Sequence, residues 1–265
     1  MPRANRHFLP GHVWHVTHRC HKKEMLLKFA IDRSAWIQWL FEARKRYGLE
    51  VLNYAVTSNH IHLLVCGNDD RETIPRSLQL IAGRTAQAYN WRKNRNGAFW
   101  EDRYHATAVD TDDHLLRCMI YIDLNMVRAR VVDHPAQWPH CGYHEIINSP
   151  RRYRILSRDR LKQLLGLNEA KLTDSYPCRV RESIQGGTER TEIWTRSIAV
   201  GRSDFVKKVK EDLGSNARHR ELETIIPDGT SVLKESLSSY NADFKVENDG
   251  LSDKNAFFWK VFTEI

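Results

Sequence analysis

The sequence predicts an α+β fold: a sheet domain of split βαβ layout with an added helix, then a C-terminal extension of mixed or mainly helical structure. Two observations predict it. Over the first 130 residues, short β-branched and aromatic runs alternate with stretches of 3.6-residue apolar period, in the order β-α-β-β-α-(β)-α. The charge and histidine distributions then divide the chain. Twelve of the 13 histidines precede residue 150, whereas Lys and Arg outnumber Asp and Glu by 17 to 9 in residues 151–220 and fall to 4 against 9 in residues 221–265. The expected division is therefore 1–148 and 149–265, with chemistry in the first part and a basic appendage ending in an acidic tail in the second.

Each element has its own signal. HVWHVTHRC (12–20) reads as a strand. IDRSAWIQWLFEARKRY (31–47) sets Ile31, Ala35, Trp36, Trp39, Leu40 and Ala43 on one stripe and meets Gly48, a helix stop. VLNYAVT (51–57) and HIHLLVC (60–66) read as a hairpin around Ser58 and Asn59. Residues 73–92 carry Leu78, Ile81, Thr85 and Ala88 at helical spacing. FWEDRYHATAVD is part loop and part strand, and Asp110 or Thr111 is expected to cap a helix running to about Arg130. This order is the ferredoxin-like arrangement. Residues 133–160, with three prolines and an Arg-rich run, look like a linker. ERTEIWTRSIAVGRSDFVKKVKEDL (189–213) reads as a short strand region, a Gly turn and a basic helix. Beyond it only a weak helix signal (Leu233–Leu237) and an aromatic cluster (Phe257–Phe262) stand out.

Composition narrows the class. The net charge of +8 and a pI near 9.3 favour a polyanionic partner. No apolar run approaches the ~20 residues of a membrane span, and the polar start lacks a signal-peptide core. A cytoplasmic, nucleoid-associated protein is expected. The five cysteines form no C-x-x-C pair and read as reduced, mostly buried thiols.

Two groups of residues carry chemistry. His60 and His62, at i and i+2 on a strand, point to one face and offer two imidazoles to one ion, while Ile61 packs inward. On the helix from 111, His114, Arg117, Tyr121, Asn125 and Arg128 form one polar stripe, with Leu115, Met119, Ile122 and Met126 on a different, apolar face. An aromatic hydroxyl, an amide and two guanidinium groups on one face suit phosphate handling.

SNHIHLLV followed by YIDLNMVRA resembles the IS200-like, single-tyrosine HUH transposases, most closely the branch of REP-associated tyrosine transposases. GHVWHVTHRCHKK and FWEDRYHATAVDTDDHLLRCM resemble the same branch, and the likeness spans roughly residues 1–145. It implies an HUH nuclease domain in which His60, His62 and Asn125 hold a divalent metal and Tyr121 is the nucleophile. Met126 and Arg130 stand where many relatives have Pro and Gly. The ligand set suits Mn²⁺ or Mg²⁺, with the nitrogen ligands favouring Mn²⁺. The implied partner is single-stranded or hairpin DNA of REP type, cut through a covalent 5′-phosphotyrosine, with Arg19, Lys22, Lys23, Arg103, Arg117 and Arg128 as candidate DNA contacts. A monomer or a homodimer would both serve.

Two rivals compete. His15-Val-Thr17 and His105-Ala-Thr107 supply the two H-x-T motifs of a metal-free 2H phosphoesterase. A hairpin-binding protein that no longer cleaves would keep the fold without the reaction.

Overall fold

The computed structural model describes residues 8–67, 70–187, 191–217, 220–225 and 229–235. The N-terminal elements follow the expected order: β1 (Val13–Arg19), α1 (Ala30–Tyr47), β2 (Glu50–Val56), β3 (His60–Cys66), α2 (Thr73–Arg92), β4 (His105–Val109) and α3 (Asp113–Asp123). Gly48, in the left-handed region at φ 68°, ends α1 where the sequence places its stop. β1 pairs antiparallel with both β3 and β4, and β2 pairs antiparallel with β3. The spatial order β2-β3-β1-β4 is that of a split βαβ sheet.

The sheet has two differently used faces. Tyr54, paired with Leu63, faces α1, its ring 6.5 Å from that of Trp36. Ile61, Leu63, Val65 and Val16 share that face and are buried. On the opposite face, Asn53 donates to the Met119 carbonyl on α3 at 3.3 Å. A β-bulge between Val51 and Asn53 makes this possible, because one extra residue reverses which face the following positions occupy. The sheet is thus apolar toward α1 and α2 and carries polar groups toward α3.

Past α3 come α4 (Asn125–Arg128), α5 (Tyr143–Ile147), α6 (Arg158–Leu165), α7 (Glu169–Gln185), α8 (Ile193–Arg196), β5 (Ala199–Gly201), α9 (Ser203–Leu213), β6 (Arg220–Ile225) and β7 (Thr230–Glu235). Here several expectations need correction. The stretch expected as a linker is packed: Ala55 bridges to Cys141 and Val51 to Leu156. The 17-residue α7 carried no sequence reading, because Pro177 interrupts its pattern; the buried Leu172, Tyr176 and Val180 hold it. Ile193–Arg196 is helical, and only Ala199–Gly201 is strand. Leu233 belongs to a strand, since pairing with Ala199 and Leu222 on either side overrides a weak helix preference. Phe257–Phe262 lie outside the described residues.

Residues after 148 also complete the sheet. β5 pairs parallel with β4 and antiparallel with β7, which pairs with β6. The described residues form one packed unit that ends at Glu235. Asp110 does not cap α3; the cap position is Asp112, without a side-chain hydrogen bond. Asp110 instead holds Arg202, whose Nε donates to its carboxylate at 2.8 Å, beside the end of β5. Of the cysteines, Cys20, Cys66, Cys118 and Cys141 are buried, Cys178 is exposed, and all five are unbridged.

Gly201 is where the extension meets this carboxylate. A Cβ there would fall 2.3 Å from Asp110 Cβ and 2.7 Å from a Phe205 ring carbon. Gly201→Ala is expected to lower stability by about 1–3 kcal/mol, read as a reduced urea midpoint with an unchanged m-value.

Candidate functional site

Strand alternation sets the two histidines side by side. His60 and His62 share the face of the sheet turned to α3, their ring centroids 5.0 Å apart. The β1–β3 register sets Thr17 opposite His62 and Arg19 opposite His60, so half-buried Arg19 is a direct neighbour of the pair. α3 brings the remaining groups. The Tyr121 ring lies 5.8 Å from His62 and 6.1 Å from His15, and Asn125 Nδ2 is 2.8 Å from His62 Nε2.

The helix expected to run to about Arg130 is interrupted at Leu124, with α3 ending at Asp123 and α4 at Arg128. The spacing survives because Leu124 N–H still donates to the Ile120 carbonyl and Arg128 N–H to the Leu124 carbonyl. Tyr121 and Asn125 therefore remain one turn apart. The Arg128 guanidinium lies 4.1 Å from the Tyr121 ring centroid and donates to the Tyr121 carbonyl at 2.5 Å. A cation over a tyrosine ring favours negative charge building on that ring.

The donor chemistry at His60 fits a divalent cation. Asn59 donates from its amide nitrogen to the Lys23 carbonyl at 3.2 Å, which leaves Asn59 Oδ1 facing His60 Nδ1 at 2.7 Å. The Thr57 hydroxyl donates to the His60 carbonyl and so presents a lone pair to the same Nδ1 at 2.9 Å. Both partners accept, so Nδ1 carries the proton and Nε2 the lone pair that a metal requires. The described residues contain no group of three or more His, Cys, Asp or Glu suited to a metal; a His, His, Asn set draws its third donor from an amide instead.

The extension closes the back of the site. His15 is fully buried, with Nε2 2.9 Å from His62 Nδ1 and Nδ1 2.8 Å from the Trp194 carbonyl. Burial pulls its pKa down to about 3, against the hydrogen bond to Trp194. The Trp194 ring is buried 6.4 Å from Tyr121. The Ser197 carbonyl accepts from the Thr107 hydroxyl at 2.7 Å and lies 3.0 Å from His105 Nε2. Both H-x-T motifs thus have side chains tied to carbonyls of the 194–197 segment.

The candidate DNA contacts separate. Arg19 and Arg128 join His60, His62, Tyr121 and Asn125. Lys22 and Lys23 are exposed in the turn His21–Lys23, next to Asn59 and hence beside His60. Arg103 is exposed in the loop before β4. Arg117 donates to Thr230 Oγ1 at 3.2 Å, toward β7 rather than toward Tyr121. Sequence reasoning missed Thr57 and Asn59 as partners of His60, and it noticed His15 only within a rival motif. Alternation along 13–19 holds the signal for His15, but it becomes readable only once the β1–β3 register is known.

Beside Tyr121, the same turn of α3 is anchored by a buried carboxyl. Asp123 accepts from the Tyr176 hydroxyl at 2.6 Å and from Asn53 Nδ2 at 3.0 Å. Burial pushes its pKa up to about 7, against the lowering by these two donors. The folded protein therefore binds a proton that the unfolded chain releases near 3.9, and this contribution to stability is lost as pH rises through about 7. Asp123→Asn is expected to remove that loss. Denaturant titrations at intervals from pH 4 to 8 should show wild type falling relative to the variant, by at most ~1.4 kcal/mol per pH unit.

Comparison with known proteins bears on the same segment. Residues 10–125 match the family model described as transposase, IS200-like, and His60, His62, Tyr121 and Asn125 all fall within the match. The resemblance to IS200-like transposases holds over that segment. One similar solved structure is a REP-associated tyrosine transposase bound to a REP hairpin: 17% identity, 56% of this chain and 86% of that chain covered, TM-score 0.48. Another is a putative transposase from Deinococcus radiodurans: 14% identity, 49% and 97% covered, TM-score 0.33. No curated protein matches the chain.

Proposed function

Taking residues 10–125 as an IS200-like transposase segment, we propose that the protein is a divalent-metal-dependent, single-tyrosine endonuclease and strand transferase acting on single-stranded DNA hairpins of REP type. Tyr121 is the nucleophile, and His60, His62 and Asn125 are the ligands. One observation carries the reading: Tyr121 and Asn125, a helix turn apart, meet the strand-borne histidine pair, with Asn125 2.8 Å from His62.

The ligand atoms would be imidazole nitrogens of His60 and His62 and the amide oxygen of Asn125. Mn²⁺ or Mg²⁺ bound there supplies charge withdrawal from the scissile phosphate. The chain's own groups do the rest. Tyr121 Oη forms a bond to phosphorus as the bond to the 3′-oxygen breaks; the phenolic proton leaves to solvent, and the 3′-oxygen takes up a proton. A phenol with an ordinary pKa near 10 is a weak nucleophile, and the Arg128 guanidinium over the ring offsets negative charge that builds on it during attack. The product is a 5′-phosphotyrosine and a free 3′-OH. The ester bond is conserved, so the reverse attack by a 3′-OH rejoins strands without another energy source.

Arg19, opposite His60 in the strand pairing, meets the phosphate backbone, with Lys22 and Lys23 continuing from the same strand end. Arg103 and Arg117 contact DNA farther from Tyr121. Single-stranded substrate suits a site in which the attacked phosphate must reach a Tyr121 that is only 7% exposed, because a stacked duplex would hold the phosphate away. Among the described residues no helix is long and apolar enough to cross a membrane.

The experiment is cleavage of single-stranded hairpin DNA with Mn²⁺ or Mg²⁺, resolved on a denaturing gel that retains protein–DNA adducts. Wild type should form a covalent adduct that EDTA abolishes. Tyr121→Phe should form none while still binding the hairpin, and His62→Ala should lose cleavage by about a hundredfold or more, the scale of losing a transition-state charge stabiliser. Hairpin binding by wild type without any adduct would favour the binding-only protein. Cleavage in EDTA by Tyr121→Phe would favour the H-x-T phosphoesterase.

A further inference from the structure

The hydrogen bonds behind His62 run in one direction. We infer that His15 is a positioning residue: it fixes His62 in the Nδ1–H tautomer and turns the Nε2 lone pair toward Asn125, with the Trp194 carbonyl at the far end of the relay. The inference rests on His62 being a ligand, as proposed above, but it concerns the metal-free chain itself.

Proton bookkeeping carries it. A backbone carbonyl only accepts, so the 2.8 Å contact with Trp194 places the proton of His15 on Nδ1. His15 is fully buried, and its other ring nitrogen meets a second imidazole, a setting that holds it neutral. Its Nε2 is then a lone pair and must accept from His62 Nδ1 at 2.9 Å. Neutral His62, protonated on Nδ1, presents a lone pair at Nε2, and Asn125 meets that atom with its amide nitrogen at 2.8 Å. Each contact is consistent with the next. His60 reaches the same state by separate means, through Asn59 and Thr57. Both histidines therefore present Nε2 lone pairs on one face before any ion arrives.

The relay also gives the C-terminal extension a function at the site. The atom that sets the direction of the relay belongs to Trp194 on α8, held against the sheet by hydrogen bonds from Thr107 to the carbonyls of Trp194 and Ser197. Outer partners that orient a ligating histidine usually hold it by accepting its second N–H. In this chain the acceptor is another histidine, oriented in turn by a carbonyl 132 residues beyond His62 along the sequence.

The test uses the full chain, uniformly labelled with ¹⁵N at histidine and free of metal, with imidazole tautomers read from long-range ¹H–¹⁵N spectra. Mn²⁺ alone is then titrated by electron paramagnetic resonance, and thermal melting is recorded alongside. Wild type should show both His15 and His62 protonated on Nδ1. His15→Leu should release His62 into a mixture of tautomers and weaken Mn²⁺ binding by about 10–100-fold. His15→Gln, which donates with its amide N–H and accepts with its amide oxygen, should restore both the tautomer and binding to within a few-fold of wild type. If Leu at this position prevents folding, the wild-type tautomer and the Gln variant still decide. The inference is overturned if metal-free His62 carries its proton on Nε2, or if folded His15→Leu binds Mn²⁺ as tightly as wild type. A wild type that binds no Mn²⁺ overturns the ligand assignment instead, and the His62 tautomer alone then decides the relay.

Discussion

The antiparallel register between β1 and β3, which sets Thr17 opposite His62 and Arg19 opposite His60, governs most of the architecture of the candidate site. Side chains alternate along a strand, so a slip of one residue would move His15, Thr17 and Arg19 to the opposite face. Their places would be taken by Trp14, Val16 and His18, of which Trp14 and Val16 are buried in the core. The apolar packing against α1 and α2 holds the register, and the polar face then falls into place as a consequence. The arrangement of the candidate site is thereby secured by residues that take no part in it.

The polar face has a second support, because Tyr121 and Asn125 come to it from a helix. α3 lies across it and is fastened by the Asn53–Asp123–Tyr176 cluster, which joins β2, α3 and α7. Asn53 reaches α3 only because the bulge at Leu52 turns it to that side. Tyr121 and Asp123 are two residues apart, so the anchoring contact and the candidate nucleophile lie within one helical turn. Any motion of that turn would be felt at Tyr121.

The C-terminal residues belong to the same architecture. β5 lengthens the sheet beyond β4, and the segment before it lays two carbonyls over His15, His105 and Thr107. Basic residues in this part of the chain suggested an appendage suited to a polyanion. Its described contacts with the site are neutral ones: a carbonyl, a buried indole and a strand edge. Its excess of positive charge lies elsewhere, on exposed positions such as Lys207 and Lys208 of α9.

The sequence by itself determined the order of strands and helices as far as Asp123, the pairing of His60 with His62 on one strand face, and the Tyr121–Asn125 stripe. All of these depend on periodicities of two or 3.6 residues, and periodicity is written in a local run of residues. Tertiary structure decided what spans the chain: which strand lies beside which, that His15 backs His62, that Asp110 holds Arg202 instead of capping α3, and that residues near 195 close the site. The contacts of His15 join distant positions, 47 residues apart for His15–His62 and 179 for His15–Trp194. No local pattern specifies such partners, because they are selected by the packing of the whole sheet and by the need to satisfy each buried polar group.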